Sequence, residues 1–141
     1  MSAESFNDAL EAFFRVVRAL RWKADALPGG LSLAQAVLLR PLMDGGACGV
    51  GELADAAGIA SPTATRTLDG LVRDGYITRR PSQSDRRSVL VELTDRGHAA
   101  MTQARDAMRA RRGVLYERLS PEEREEAEEL FRRLAEIMRE P

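Results

Sequence analysis

The residues best equipped for chemistry in this 141-residue chain are its arginines, which make up 20 of its 21 basic residues. Between residues 61 and 91, Arg66, Arg73, Arg79, Arg80, Arg86 and Arg87 stand against Asp69, Asp74 and Asp85, a net charge of +3. A planar guanidinium donates two parallel bonds to a guanine edge or a phosphate, so such a cluster suits a nucleic-acid partner. On a helical wheel, Ala64, Leu68, Leu71 and Val72 fall on one side of the segment from Pro62 to Asp74 and are expected to pack inward. Thr63, Arg66, Gly70 and Arg73 fall on the opposite side, which is small, polar and cationic and fits a major groove. A solvated helix face has the same composition, and what tips the reading is the stretch that follows. There Arg79, Arg80, Arg86 and Arg87 gather around Asp85 in a loop of a kind that reaches a neighbouring minor groove. An acid beside phosphates is out of place unless it orients an arginine, and Asp85 is expected to hold the Arg87 guanidinium by a charge-assisted bond.

Other constellations fail for want of partners. One cysteine, Cys48, and one histidine, His98, are too few ligands for a zinc site of the usual Cys/His kind, and no internal disulfide can form. Cys48 lies in the run Gly45-Gly46-Ala47-Cys48-Gly49 with no cationic neighbour to stabilise a thiolate, so it reads as a small turn residue rather than an oxidant sensor. Gly49-Val50-Gly51 lacks the third glycine of a dinucleotide fingerprint, because Ala54 stands in its place. His98 has no nucleophile at a recognisable elbow and reads as a helix-surface residue. No catalytic residue, metal site or cofactor is expected.

These arginines need elements to position them. Phe6, Leu10, Phe13, Val17 and Leu20 recur at steps of three and four, which predicts an amphipathic first helix from Ser5 to about Asp25. Pro28-Gly29-Gly30 ends it, and Ser32 is placed to cap a second helix from Leu33 to about Met43, with Pro41 late enough to kink it. A glycine-rich turn leads to a short helix over about Val50–Ala57, which Gly58 stops in a left-handed conformation. Ser61-Pro62 reads as an N-cap followed by a first-turn proline, opening the arginine-bearing helix, which Gly75 ends. Two helices joined across Gly58-Ile59-Ala60 have the spacing of a helix-turn-helix. Tyr76–Arg80 and Ser88–Leu93 then alternate as a β-hairpin around a long charged loop, a wing. A long helix follows from Thr94 to about Leu119, with a break or bend expected near Gly113. Ser120-Pro121-Glu122-Glu123 starts the last, whose stripe is Ala127, Leu130, Phe131, Leu134, Ile137 and Met138.

Together, Leu33-Ala34-Gln35-Ala36-Val37-Leu38-Leu39, Gly51-Glu52-Leu53-Ala54-Asp55, Thr63 to Leu71 and the run Asp85 to Gly97 resemble the winged-helix regulators of the multiple-antibiotic-resistance regulator (MarR) family. The most specific part is the Asp-x-Arg wing followed by Leu-Thr-x-x-Gly, and the likeness covers nearly the whole chain in order. It implies a homodimer with a helical dimerisation region, a recognition helix over Ser61–Asp74 and a wing whose Asp85 and Arg87 match the family's paired residues. It also implies, as in many members, a small and often phenolic molecule or an oxidant that weakens DNA binding. The family's oxidant-sensing branch carries its cysteine near the start of the first helix, where this chain has Ser5 and Phe6.

The resulting expectation is a mainly α fold with a small antiparallel β-wing in a single domain over residues 1–141. Dimerisation helices are placed at about 5–25 and 98–141 and the winged helix-turn-helix at about 32–97. The expected DNA contacts are Ser61, Pro62, Thr63, Thr65, Arg66, Thr67, Arg73, Arg79, Arg80, Asp85, Arg86 and Arg87, on an inverted-repeat operator. An aromatic or phenolic ligand is expected among Phe13, Phe14, Arg15, Arg18, Trp22 and Met43, where the first, second and fifth helices approach the winged module. Repression is favoured over activation, since occupying a promoter needs only binding. Net charge is −1 overall, but local field rather than total charge steers a phosphate backbone. The nine glutamates against five arginines over residues 117–141 read as a solvated face. The alternative is a winged-helix protein-interaction module acting through this acidic helix. No apolar stretch approaches the roughly 18 residues of a membrane span, and no signal-peptide pattern opens the chain, so the cytoplasm is expected.

Overall fold

A computed structural model of the chain describes residues 1–23, 26–85 and 87–139, those at 20–23 by their backbone alone. Its elements are α1 (Ala3–Lys23), α2 (Leu33–Gly45), β1 (Cys48–Gly49), α3 (Val50–Ala57), α4 (Ser61–Arg73), β2 (Ile77–Pro81), β3 (Val89–Leu93), α5 (Asp95–Arg118) and α6 (Pro121–Ile137). Two compact units divide the chain, residues 1–105 and residues 106–141.

The first unit holds the helix-turn-helix and the sheet. Ser32 caps α2 as its place predicts: its hydroxyl accepts the Gln35 N–H at 3.1 Å while the Gln35 side chain accepts the Ser32 N–H at 2.9 Å, which satisfies two orphan donors at once. The helix runs on through Pro41 to Gly45, two residues further than the sequence suggests. Gly58 closes α3 in the left-handed region (φ 67°, ψ 33°), with its N–H bonded back into the helix. The chain then turns into α4 within two residues. Leu38, Leu39 and Leu42 of α2, Leu53 of α3, and Leu68 and Leu71 of α4 meet Ile77, Val91 and Met101 in one buried core. Leucines at these helical spacings and β-branched residues in the strands are the residue types each backbone accommodates best.

The sheet has three antiparallel strands in the order β1-β3-β2, with Ile77 opposite Leu93, Pro81 opposite Val89 and Cys48 opposite Val91. The hairpin was legible from alternation; β1 was not. Two of the five residues of the expected glycine-rich turn form a strand that takes up the free edge of β3, a pairing too short to carry a sequence period. Two further expectations need correction. The N-cap of α4 is Ala60, not Ser61, which already lies in the helix, and no side chain caps this end. Val72 is 36% exposed, because α3 and the sheet cover the Ala64–Leu68–Leu71 line and stop short of its flank.

At the base of the sheet, Thr94 does the work that the Leu-Thr-x-x-Gly pattern requires. Its hydroxyl donates to the Gly75 carbonyl at 2.6 Å and accepts the Gly97 N–H at 3.0 Å, so one side chain ties the end of α4 to the start of α5. Gly97 sits against the Tyr76 backbone so closely that a Cβ there would collide with the carbonyl oxygen. Only glycine fits that approach.

Among its described residues, α1 places no side chain in the buried core, and Phe6, Phe13, Phe14 and Val16 are exposed. Its first turn is secured by Ser2, whose hydroxyl accepts the Ser5 N–H at 3.2 Å. The expected end of this helix near Asp25 falls outside the described residues.

The second unit contains the C-terminal half of α5 and all of α6. The helix α5 continues through Gly113 without the expected break. Ser120 caps α6 in a full capping box with Glu123. Arg124 donates from Nε to the Tyr116 carbonyl at 2.8 Å, which also accepts the Leu119 N–H at 3.3 Å, and stacks over the Tyr116 ring at 4.1 Å. Between the two helices lies an open cleft of about 510 Å³ with Leu115, Tyr116, Leu119 and Phe131 on its walls. The helix α6 buries none of its residues, and Leu130, Phe131, Ile137 and Met138 are all more than half exposed.

Candidate nucleic-acid interface

The helix α4 is amphipathic in the sense expected. Ala64, Leu68 and Leu71 are fully buried, which fixes the helix rotation and turns Thr63, Arg66 and Arg73 out to solvent together with Ser61, Pro62 and Thr65. The uncapped N-terminus leaves first-turn N–H groups without a side-chain partner, a favourable end for a phosphate. Thr67 is half-buried and its hydroxyl donates to the Thr63 carbonyl at 3.1 Å, so that group is spent within the helix. The Arg73 guanidinium lies back along the helix over Gly70, where a Cβ would stand 3.4 Å from its Nη2. A Cβ at Gly70 would make only ordinary van der Waals contact with this guanidinium.

The wing strands carry two ion pairs the sequence reading missed. Arg79 Nη2 meets Asp69 Oδ1 of α4 at 2.5 Å, and Arg80 Nε meets Glu92 Oε1 at 3.3 Å across the hairpin. Glu92 lies opposite Thr78, two residues from Arg80 and on the same face, so this diagonal pair follows from the register. Asp69 and Arg79 are ten residues apart, and no local pattern announces them. Both arginines are among the expected DNA contacts. Among the described residues, no ion pair includes Arg66, Arg73 or Arg87.

The role expected of Asp85 also changes. Its Oδ1 accepts the backbone N–H of Arg87 at 3.0 Å, its Oδ2 accepts the Ser88 hydroxyl at 3.1 Å, and its carbonyl accepts the Ser88 N–H at 3.1 Å. Asp85 thus folds the wing tip into an Asx-type turn and sets where Arg87 starts, without gripping its guanidinium. An acidic side chain two residues before an N–H finds that donor more readily than a long mobile guanidinium, whose ordering costs more entropy. Ser82 closes the other end of the loop, its N–H donating to the Ser88 carbonyl at 2.9 Å. Arg86 lies outside the described residues.

The candidate ligand residues are not gathered in this way. Phe13 and Phe14 stack edge to face at 5.8 Å on the exposed side of α1, Arg15 is exposed, and Arg18 turns back toward the Phe14 carbonyl at 3.5 Å. Met43 is half-buried on α2, and the Trp22 side chain lies outside the described residues. Cys48 sits half-buried in β1, where burial first and the Glu52 carboxylate second push its thiol pKa up. Both effects disfavour the thiolate, in keeping with a filler residue.

A profile of the MarR family matches residues 31–89, the helix-turn-helix and most of the wing. Over 132 residues the chain is 33% identical to an uncharacterized HTH-type transcriptional regulator of Mycobacterium bovis, a match that covers 94% of this chain and 88% of that protein. The chain belongs to the MarR family. A second relative, the HTH-type transcriptional repressor YetL of Bacillus subtilis, is 35% identical over 74 residues, 52% of this chain and 44% of that protein. The structure of a mutant Escherichia coli MarR complexed with operator DNA superposes with a TM-score of 0.75 over 95% of this chain and 99% of that one, at 24% identity, which establishes the shared winged-helix fold. As a MarR protein the chain is a DNA-binding regulator of transcription and not an enzyme. No described helix is long and apolar enough to cross a membrane.

Proposed function

We propose that this protein is a homodimeric repressor that occupies an inverted-repeat operator and lets go when a small aromatic or phenolic molecule binds. The observation that carries the reading is the convergence on one module of an exposed Arg66 and Arg73 on α4 with a wing tip whose turn projects Arg87. Arg66 reads base edges in the major groove, Arg73, Ser61, Thr63 and Thr65 hold the phosphate walls, and Arg87 enters the flanking minor groove. The relative named a repressor supports the sign of regulation, and blocking a promoter requires only occupancy. Such a protein works where the chromosome is, in the cytoplasm.

The dimer is supported by what the single chain leaves uncovered: aromatic and aliphatic stripes on α1 and α6 that, among the described residues, include no buried side chain. Such patches mark interfaces. We assign dimerisation to residues at about 5–25 and 98–141 and DNA binding to the winged helix-turn-helix at about 32–97. Phe13, Phe14, Arg15, Arg18, Trp22 and Met43 stay the candidates for the effector site, on the strength of an exposed aromatic pair beside two arginines.

Duplexes selected from a random pool provide the test. If each protomer neutralises about three to five phosphates, the log–log salt slope of the dimer is about −5 to −9. Arg66→Ala is expected to cost about 1–3 kcal/mol and relax sequence preference. A flat salt response, or Arg66→Ala indistinguishable from wild type, refutes the reading. Aromatic carboxylates titrated against the complex while DNA release and Trp22 fluorescence are followed test the effector, and silence across a broad panel removes it.

A further inference from the structure

Asp69 occupies an awkward position for a DNA-reading helix. It lies three residues after Arg66 and four before Arg73, the two spacings at which helix side chains meet. Left to itself, its carboxylate has a guanidinium within reach in either direction along α4. The Arg73 guanidinium already folds back to the level of Gly70, one residue from Asp69. Yet the partner Asp69 takes comes from outside the helix: Arg79, on the neighbouring strand β2, at 2.5 Å. Arg79 is the more covered of the two, 31% exposed against 57% for Asp69, so the pair is anchored on the sheet side.

We propose that Arg79 is a positioning residue that holds the Asp69 carboxylate away from Arg66 and Arg73 and so keeps both free to read DNA. The inference rests on the DNA-reading role of α4 proposed above. Arg79 does not touch the duplex in this account. It competes with Arg66 and Arg73 for one acid, and its partly covered side chain, 31% exposed, has less freedom left to lose on pairing than those of the solvent-exposed Arg66 and Arg73. When Arg79 is removed, Asp69 turns to its helix neighbours, neutralises a reading arginine and sets a negative charge where phosphates must come.

The sign of a second-site change separates this account from its rivals. Full-length wild type, Arg79→Gln, Asp69→Asn, the double variant, Arg79→Lys and Arg66→Ala are compared by anisotropy on the duplex that wild type selects from a random pool. Salt slopes are measured alongside, and thermal melts report folding. Arg79→Gln should bind about tenfold more weakly, the loss of one good arginine contact, whereas Asp69→Asn should bind as well as wild type or more tightly. The double variant should return to within about threefold of wild type with the wild-type salt slope, and Arg79→Lys, which keeps a cation for Asp69, should stay near wild type. A double variant as weak as Arg79→Gln, with a slope lowered by about 0.9, makes Arg79 a direct phosphate contact and overturns the proposal. Asp69→Asn as weak as Arg79→Gln, or equally destabilised, reduces the pair to support of the fold and also overturns it. If Arg66→Ala binds like wild type, the reading role of α4 fails; if Arg66→Ala is weak and rescue is absent, only the role of Arg79 fails.

Discussion

Replacing Asp85 by Asn and by Ala separates two ways in which an acid at the wing tip can serve DNA binding. In the structure the carboxylate accepts the Arg87 N–H at 3.0 Å and the Ser88 hydroxyl at 3.1 Å. Asn keeps both contacts, its carbonyl oxygen accepting from Arg87 and its amide donating to a Ser88 hydroxyl that has rotated. Ala keeps neither. Each such bond at an exposed site is worth about 0.5–1 kcal/mol, so the turn that projects Arg87 loses about 1–2 kcal/mol of local order in Asp85→Ala. Both changes delete one negative charge near phosphate, which favours binding by at most about 1 kcal/mol. Asp85→Asn should therefore bind operator more tightly than wild type, by up to about fivefold, since it gains the charge effect at no structural cost. Asp85→Ala should fall below Asp85→Asn by about fivefold or more and land near wild type or weaker. Anisotropy at fixed salt reads the affinities, and limited trypsin cleavage after Arg87 in the free protein reads the order of the turn, with Ala cut fastest. Asn and Ala weakened equally, with unchanged cleavage, would mean that the carboxylate acts through its charge on a guanidinium, and the turn argument would fall.

Two glycines should respond in opposite directions: Gly97→Ala drives a methyl into the Tyr76 carbonyl and should cost about 3 kcal/mol, whereas Gly113→Ala meets nothing within 4 Å in a helix interior and should add up to about 1 kcal/mol. Denaturant melts decide both, and a neutral Gly97→Ala refutes the close approach. Because burial and Glu52 raise the Cys48 pKa, its thiol stays protonated at neutral pH; iodoacetamide should label it more slowly than a free cysteine, the rate climbing only above the usual thiol range, and Glu52→Gln should speed labelling. Labelling as fast as a free thiol at pH 7 would contradict that assignment. Phe131→Glu leaves the isolated chain little changed, since this side chain is 57% exposed, but should break the dimer and make melting independent of protein concentration. Sedimentation of wild type as a folded monomer at micromolar concentration would remove the interface altogether.

What the sequence determined by itself is what acts over a few residues. Ser32 and Ser120 announce their helices because a capping box closes within one turn, and Gly58 announces its stop because a left-handed residue is required there. The rotation of α4 was readable because Ala64, Leu68 and Leu71 repeat at the helical period, and so the outward set of Thr63, Arg66 and Arg73 came with it. Tertiary structure decided which of the arginines is left without an acidic partner. Arg79 finds Asp69 because packing lays β2 beside α4, and Arg80 finds Glu92 because the hairpin register puts them on one face; neither distance exists along the chain. The same holds for β1, which is a strand only because β3 has an open edge, and for Gly97, which is required only because the Tyr76 backbone lies against it. Charge counted along a sequence gives the sign of a surface, while the groups free to act on DNA depend on which opposite charges folding brings within about 4 Å.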